Sequence, residues 1–144
     1  MAKVFLGGTC SHSKWRDLLI ENKAMGAKLE IDYFNPVIDD WKPECQAEEI
    51  KQREECDYFL YVITPRMSGV YSIAEVVEDS IKRPEKTIFA IINADTLDDV
   101  SQQITHFSDS QLKSLKAVAG LVKRNGATVL NSLKQIRDYL NSKA

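Results

Sequence analysis

The sequence predicts a doubly wound α/β domain, a parallel sheet of five strands with helices on both faces. Short apolar runs recur along the chain and are apolar throughout, not alternating, which marks strands covered on both sides. Stretches with helical spacing lie between these runs, so strand and helix alternate. The length of 144 residues suits one domain, large enough to bury roughly two thirds of the surface its unfolded chain exposes. No linker, repeat or low-complexity segment interrupts the pattern, so residues 1–144 read as a single domain.

Each element has its own justification. Lys3 to Gly7 is the first strand and runs into Gly7-Gly8. Lys14 to Lys23 follows Ser13, a residue suited to cap a helix N-terminus. Leu29 to Phe34 is a second strand, stopped by Asn35-Pro36. Pro43 to Cys56 opens with proline at a first-turn position and is dense in Glu, Gln, Lys and Arg, which favours a helix. Tyr58 to Ile63 is the strongest strand, with aromatic and β-branched residues throughout. Ser72 to Lys82 carries Ile73, Val76, Val77 and Ile81 near helical spacing, and Thr87 to Ile92 is the fourth strand. Asp95 to Ser110 shows no clear period, and an extra short helix is the expected content. Leu112, Leu115, Val118, Leu121 and Val122 form an apolar stripe that ends at Gly126, suited to a helix C-terminus. Ala127 to Leu130 is the fifth strand, and Leu133, Ile136 and Leu140 mark the last helix. Right-handed crossovers then imply the flavodoxin-like strand order 2-1-3-4-5. Ligands in such a sheet bind at the carboxyl ends of strands 1 and 3, where the order reverses.

Composition narrows the function. Charged residues make up 28% and hydrophobic ones 44%, as in ordinary globular proteins. A net charge of −2, with no run of Lys or Arg, gives no grip on nucleic acid or an anionic membrane. The expected partner is therefore a small molecule or another subunit. No stretch approaches the roughly 18–20 apolar residues of a membrane span. Met1 to Gly8 has too short an apolar run for a signal peptide. Cys10, Cys45 and Cys56 are odd in number and lack metal-ligand spacing, so reduced thiols in a cytoplasm, without metal or cofactor, are expected.

A ligand at the switch point demands polar, unusual residues after strands 1, 2 and 3. After strand 1 stand Gly7-Gly8-Thr9-Cys10-Ser11-His12-Ser13 and Trp15-Arg16; the glycines admit a ligand to the backbone, or simply make a tight turn. After strand 2 stand Asn35, Asp39, Asp40 and Trp41, which suit ligand hydroxyls and a flat base, or equally a solvated turn with the indole as a lid on the core. After strand 3 come Thr64-Pro65-Arg66-Met67-Ser68-Gly69-Val70-Tyr71, then Glu75 in the first turn of the third helix among Ile73, Ala74, Val76 and Val77. An acid in an apolar setting has a reason, either a helix-dipole partner or a functional charge. In the second helix Glu49 lies one turn before Arg53 and faces either solvent or the strand 3 loop. Cys10 with His12 is a weaker nucleophile pair, lacking a third orienting group, and His106 reads as surface.

As a set, these residues resemble the nucleoside 2-deoxyribosyltransferase superfamily, which includes deoxynucleoside monophosphate N-glycosidases. The resemblance is carried by Glu49 to Glu75, with Cys56-Asp57, Thr64-Pro65 and Gly69-Val70-Tyr71 between them. Phe5-Leu6-Gly7-Gly8-Thr9 with Trp15-Arg16, and Phe34-Asn35-Pro36-Val37 with Asp39-Asp40-Trp41, extend it over about Val4 to Pro84. The resemblance implies a retaining mechanism in which Glu75 attacks the anomeric carbon and Glu49, eight residues before Asp57, assists the leaving base. It implies ligand contacts from Gly7, Gly8, Thr9, Trp15, Asn35, Asp39, Asp40, Trp41, Thr64, Ser68, Gly69 and Tyr71, a nucleoside or nucleotide as the small-molecule partner, and room for a homo-oligomer. The family often carries an Asp in the loop after strand 3, where this chain reads Arg66-Met67-Ser68, and Arg66 either suits a phosphate or simply points into solvent. Deoxyribosyl transfer to a second base is the expected activity. An N-glycohydrolase of a deoxynucleotide or NAD-like molecule, and a nucleotide sensor without turnover, are the alternatives.

Overall fold

The computed structural model describes residues 1–10, 13–21, 28–37, 42–96 and 104–144. Its strands are β1 (Lys3–Gly8), β2 (Asp32–Phe34), β3 (Tyr58–Ile63), β4 (Thr87–Ile91), β5 (Asp95–Thr96), β6 (Ile104–Thr105) and β7 (Thr128–Leu130). Its helices are α1 (Trp15–Glu21), α2 (Pro43–Glu55), α3 (Tyr71–Lys82), α4 (Asp109–Arg124) and α5 (Leu133–Asn141), with a 3₁₀ turn at Pro84–Lys86. Five strands form one parallel sheet in the order β2-β1-β3-β4-β7. This is the expected order, with β7 as the fifth strand of the sheet. β5 and β6 stand outside it and pair antiparallel with each other. The described part of Asp95 to Ser110 therefore carries a short two-stranded ladder where a helix was expected, and α4 begins directly after Ser108. Ser108 caps that helix by accepting from the Gln111 N–H at 3.2 Å.

The central strands are apolar throughout because both their faces are covered. On one face Val4, Leu6, Leu60, Val62, Ile88 and Ala90 meet Trp15, Leu19, Ile136 and Leu140 of α1 and α5. On the other, Phe5, Phe59, Tyr61 and Phe89 meet Val76 of α3 and Leu115 and Val122 of α4. The second strand is shorter than the predicted Leu29 to Phe34. Leu29 and Ile31 are buried but only Asp32–Phe34 pairs, along the sheet edge, with Asp32 and Tyr33 exposed. Gly126, at φ +108, turns the chain from α4 into β7.

Candidate active site

The carboxyl ends of β1 and β3 lie side by side, with Gly8 paired to Val62. A Cβ on Gly8 would fall 2.0 Å from the Val62 carbonyl oxygen, and its φ is +116, so only glycine fits here. One residue on, the Thr9 N–H donates to Val62 O at 2.9 Å, and Thr9 Oγ1 accepts from the Thr64 N–H at 2.9 Å. The two loops of the switch point are thereby tied together. Arg16, from the first turn of α1, lies buried beneath them. Its Nε donates to Leu6 O at 2.9 Å, Nη1 to Thr9 O at 2.6 Å and Nη2 to Gly8 O at 3.3 Å, while Trp15 Nε1 donates to Thr9 O at 2.9 Å. Backbone carbonyls that end a strand are thus satisfied from below, and the loop's upper surface is left as the floor of a cavity of about 160 Å³. Gly8, Thr9 and Cys10 line it on one side, and Ser68, Gly69 and Tyr71 on the other.

Tyr71 also borders a second cavity of about 250 Å³ between α2 and α3, lined by Gln46, Glu49, Ile50, Arg53 and Glu75. Glu75 is 7% exposed. It lies inward because Val76, Asp79 and Ser80 share the buried side of α3 with it, against the sheet. Glu49 is half-buried on the facing side of α2. Arg53, one turn further along α2, is buried, and its Nε stands 3.5 Å from Glu75 Oε2. Burial pushes the Glu75 carboxyl up to about 7; Arg53 opposes this, while Glu49, Asp79 and Glu78 add to it. Burial raises Glu49 as well, against the pull of Arg16 and Arg53. Two carboxyl groups from two helices therefore face one cavity, both shifted toward the neutral form, with the charge of Glu49 adding to the shift of Glu75. Such a pair can offer one carboxylate and one acid at the same time.

Glu49, Glu75, Gly8, Thr9, Ser68, Gly69 and Tyr71 all line these two adjoining cavities. Glu75 is the fifth residue of α3, just past the first turn where it was expected, because the helix starts at Tyr71, one residue earlier than predicted, with the Ile73 and Ala74 N–H groups returning to Val70 O. Gly7, Trp15, Asn35 and Thr64 are not on these two walls. The Tyr61 ring occupies the place of a Gly7 Cβ, with Cε1 at 2.6 Å, so this glycine serves packing between β1 and β3. Trp15 belongs to the core and braces Thr9; Thr64 is buried behind it; Asn35 Oδ1 accepts from the Val37 N–H at 3.0 Å in a local turn. Asp39, Asp40 and Trp41 lie outside the described residues, as does His12. His106 is exposed, as expected.

The sequence reading passed over Arg53, Asp79 and Tyr61 as site residues. Glu49 with Arg53, and Glu75 with Asp79, are two i, i+4 pairs on consecutive helices flanking β3. That repetition was the available signal, since i and i+4 share a helix face. Among the described residues, no three His, Cys, Asp or Glu side chains cluster as metal ligands, and no helix is long and apolar enough to cross a membrane. Comparison with curated proteins gives no match. Residues 1–95 match the family described as nucleoside 2-deoxyribosyltransferase like, about two thirds of the chain including both loops and both acids of the site, and the chain belongs to that family.

Proposed function

We propose that this protein cleaves the N-glycosidic bond of a deoxynucleoside or deoxynucleotide, with Glu75 as nucleophile, and passes the deoxyribosyl group to a second base. The observation that carries this reading is the sharing of one cavity by Glu75 and Glu49 in unlike surroundings, one buried beside Arg53 and one half-exposed. A Glu75 oxygen attacks the anomeric carbon; the new C–O ester bond forms as the C–N bond breaks. The bonding pair leaves with the base, whose nitrogen takes the proton of Glu49. In the second half, a nitrogen of the incoming base attacks the same carbon, Glu49 recovers a proton, and the ester pair returns to Glu75. Two displacements at one carbon retain its configuration. The adjoining cavity, with Thr9, Ser68 and backbone groups at Gly8 and Gly69, suits the sugar.

The single-proton form with Glu75 ionised and Glu49 protonated is the productive one. Burial raises Glu75 more than Glu49 and opposes this form, while the guanidinium of Arg53, 3.5 Å from Glu75 Oε2, favours it by drawing Glu75 toward the carboxylate. The test is product analysis by chromatography after incubation with deoxynucleosides and with deoxynucleotides, with and without a second free base. Exchange of bases is the expected result. Release of free sugar, unaffected by an added base, assigns hydrolysis in place of transfer. Tight binding without turnover, and unchanged in Glu75→Gln, would make the protein a sensor and end the catalytic reading.

A further inference from the structure

Arg53 is where the charges of the cavity wall converge. Its Nε donates to the Tyr61 hydroxyl at 2.9 Å and to Asp79 Oδ2 at 3.3 Å. Its Nη2 donates to Asp79 Oδ1 at 3.0 Å and to the Glu75 carbonyl at 3.3 Å, and reaches Glu78 Oε1 at 3.4 Å. Asp79 has no exposed surface, and it is held in turn by the Tyr61 O–H at 2.5 Å and by Arg83 Nε at 2.9 Å. Arg83 itself packs over the Phe59 ring, 3.6 Å from its centroid. These contacts hold the guanidinium from strand β3 and helix α3 at once. Against the Glu75 carboxylate the same group stands only at ion-pair distance, 3.5 Å. A bridge that served folding alone would be complete with Asp79, whereas this one also turns its charge toward the cavity acid.

We propose that Arg53 is a positioning residue for Glu75: Asp79 and Tyr61 fix its guanidinium so that its charge orients the Glu75 carboxylate toward the cavity and keeps it ionised for attack. This rests on the reading of Glu75 as the nucleophile. The charged and titratable groups facing Glu75 are Glu49 and Arg53 from α2, Glu78 and Asp79 from α3, and Tyr61 from β3. Tyr61 stays a neutral phenol, because burial and the Asp79 carboxylate both raise it. Arg53 is therefore the one cation among these described groups, set against three other carboxylates. Burial opposes its charge, but Tyr61 and Asp79 outweigh burial and lock the guanidinium in its protonated form.

The test is a titration of the Glu75 side-chain carboxyl by NMR on the full chain labelled at glutamate, the resonance being assigned by its loss in Glu75→Gln. Wild type is expected to titrate near pH 7. Arg53→Met is expected to raise that midpoint by about one unit or more, and Arg53→Lys to restore it toward wild type. Lysine cannot hold Asp79 and Glu75 together, so kcat in Arg53→Lys should still fall by about 10–100-fold, with KM within about threefold of wild type. Where Arg53→Met does not fold, Arg53→Met/Asp79→Asn is compared with Asp79→Asn, so that loss of the Asp79 charge, which by itself lowers the Glu75 midpoint, is common to both, and the midpoint is again expected to rise. A midpoint that does not rise in folded Arg53→Met, or in the double variant relative to Asp79→Asn, overturns the proposal. So does a change confined to KM, which would make Arg53 a substrate contact. Turnover retained in Glu75→Gln defeats the nucleophile reading instead, and the titration reports the coupling of Arg53 to Glu75 independently of it.

Discussion

Glu75 carries an ionisable carboxyl into a buried position, and that placement has a stability cost that can be measured. Its folded-state midpoint, about 7, lies above its ordinary value of 4.5. The folded chain thus binds this proton more tightly than the unfolded chain. The contribution is fully present below about pH 4.5 and is lost as pH rises through 7. Glu75→Gln does not titrate, so it should gain on wild type between pH 5 and pH 8 by about 1–3 kcal/mol, read from urea unfolding at the two values. The same variant should lose turnover while staying folded, in the chromatographic assay. Glu49→Gln should lower kcat by about 10²–10⁴-fold, the usual worth of proton transfer to a leaving group. The loss should be smallest for substrates whose base is already a good leaving group, since these need the proton least. Uniform loss across leaving groups would remove Glu49 from the acid role.

The decisive structural elements are β1 and β3 with the turns that leave them. Gly8 and Gly69 both line the site but differ in what they tolerate. Gly8→Ala forces a Cβ against the Val62 backbone at positive φ and should cost about 2–4 kcal/mol in thermal unfolding. Nothing lies within 4 Å of a Cβ on Gly69, so Gly69→Ala should stay within about 0.5 kcal/mol of wild type. Equal effects at the two positions would contradict the tight approach of β1 to β3. The two glycines read alike in the sequence, because the distance to a strand about fifty residues away is not a local property. The continuous apolar runs of β1, β3 and β4 were legible, since strands covered on both faces leave no alternation. Two features escaped. The edge position of β2 lets Asp32 and Tyr33 face solvent and shortens the strand. The β5–β6 ladder has only two residues on each side, too few to show a period.

For the whole molecule, two apolar layers cover the two faces of the sheet. β1, β3 and β4 lie between other strands and carry most of both layers. Their amides should be the slowest to exchange with solvent, through global opening, and those of the edge strand β2 markedly faster. Leu60, fully buried in the middle strand, should cost about 2–5 kcal/mol when changed to alanine, measured by denaturant unfolding. Glu75→Gln should leave that exchange pattern unchanged at pH 5, separating loss of chemistry from loss of fold.

The sequence by itself determined the layer architecture, the strand order and the end of the sheet where the candidate site lies, because each follows from periodicity, chain direction and the handedness of crossovers. It also singled out Glu75 and Glu49, through an acid among apolar neighbours and a family resemblance. Only the tertiary structure decided that both acids line one cavity, that Gly7 and Trp15 are packing residues, and that Arg53 is clamped by Asp79 and Tyr61 beside Glu75. Those facts depend on distances between side chains from α2, β3 and α3. Such distances are set when the helices settle on the sheet, and no local pattern of residues encodes them.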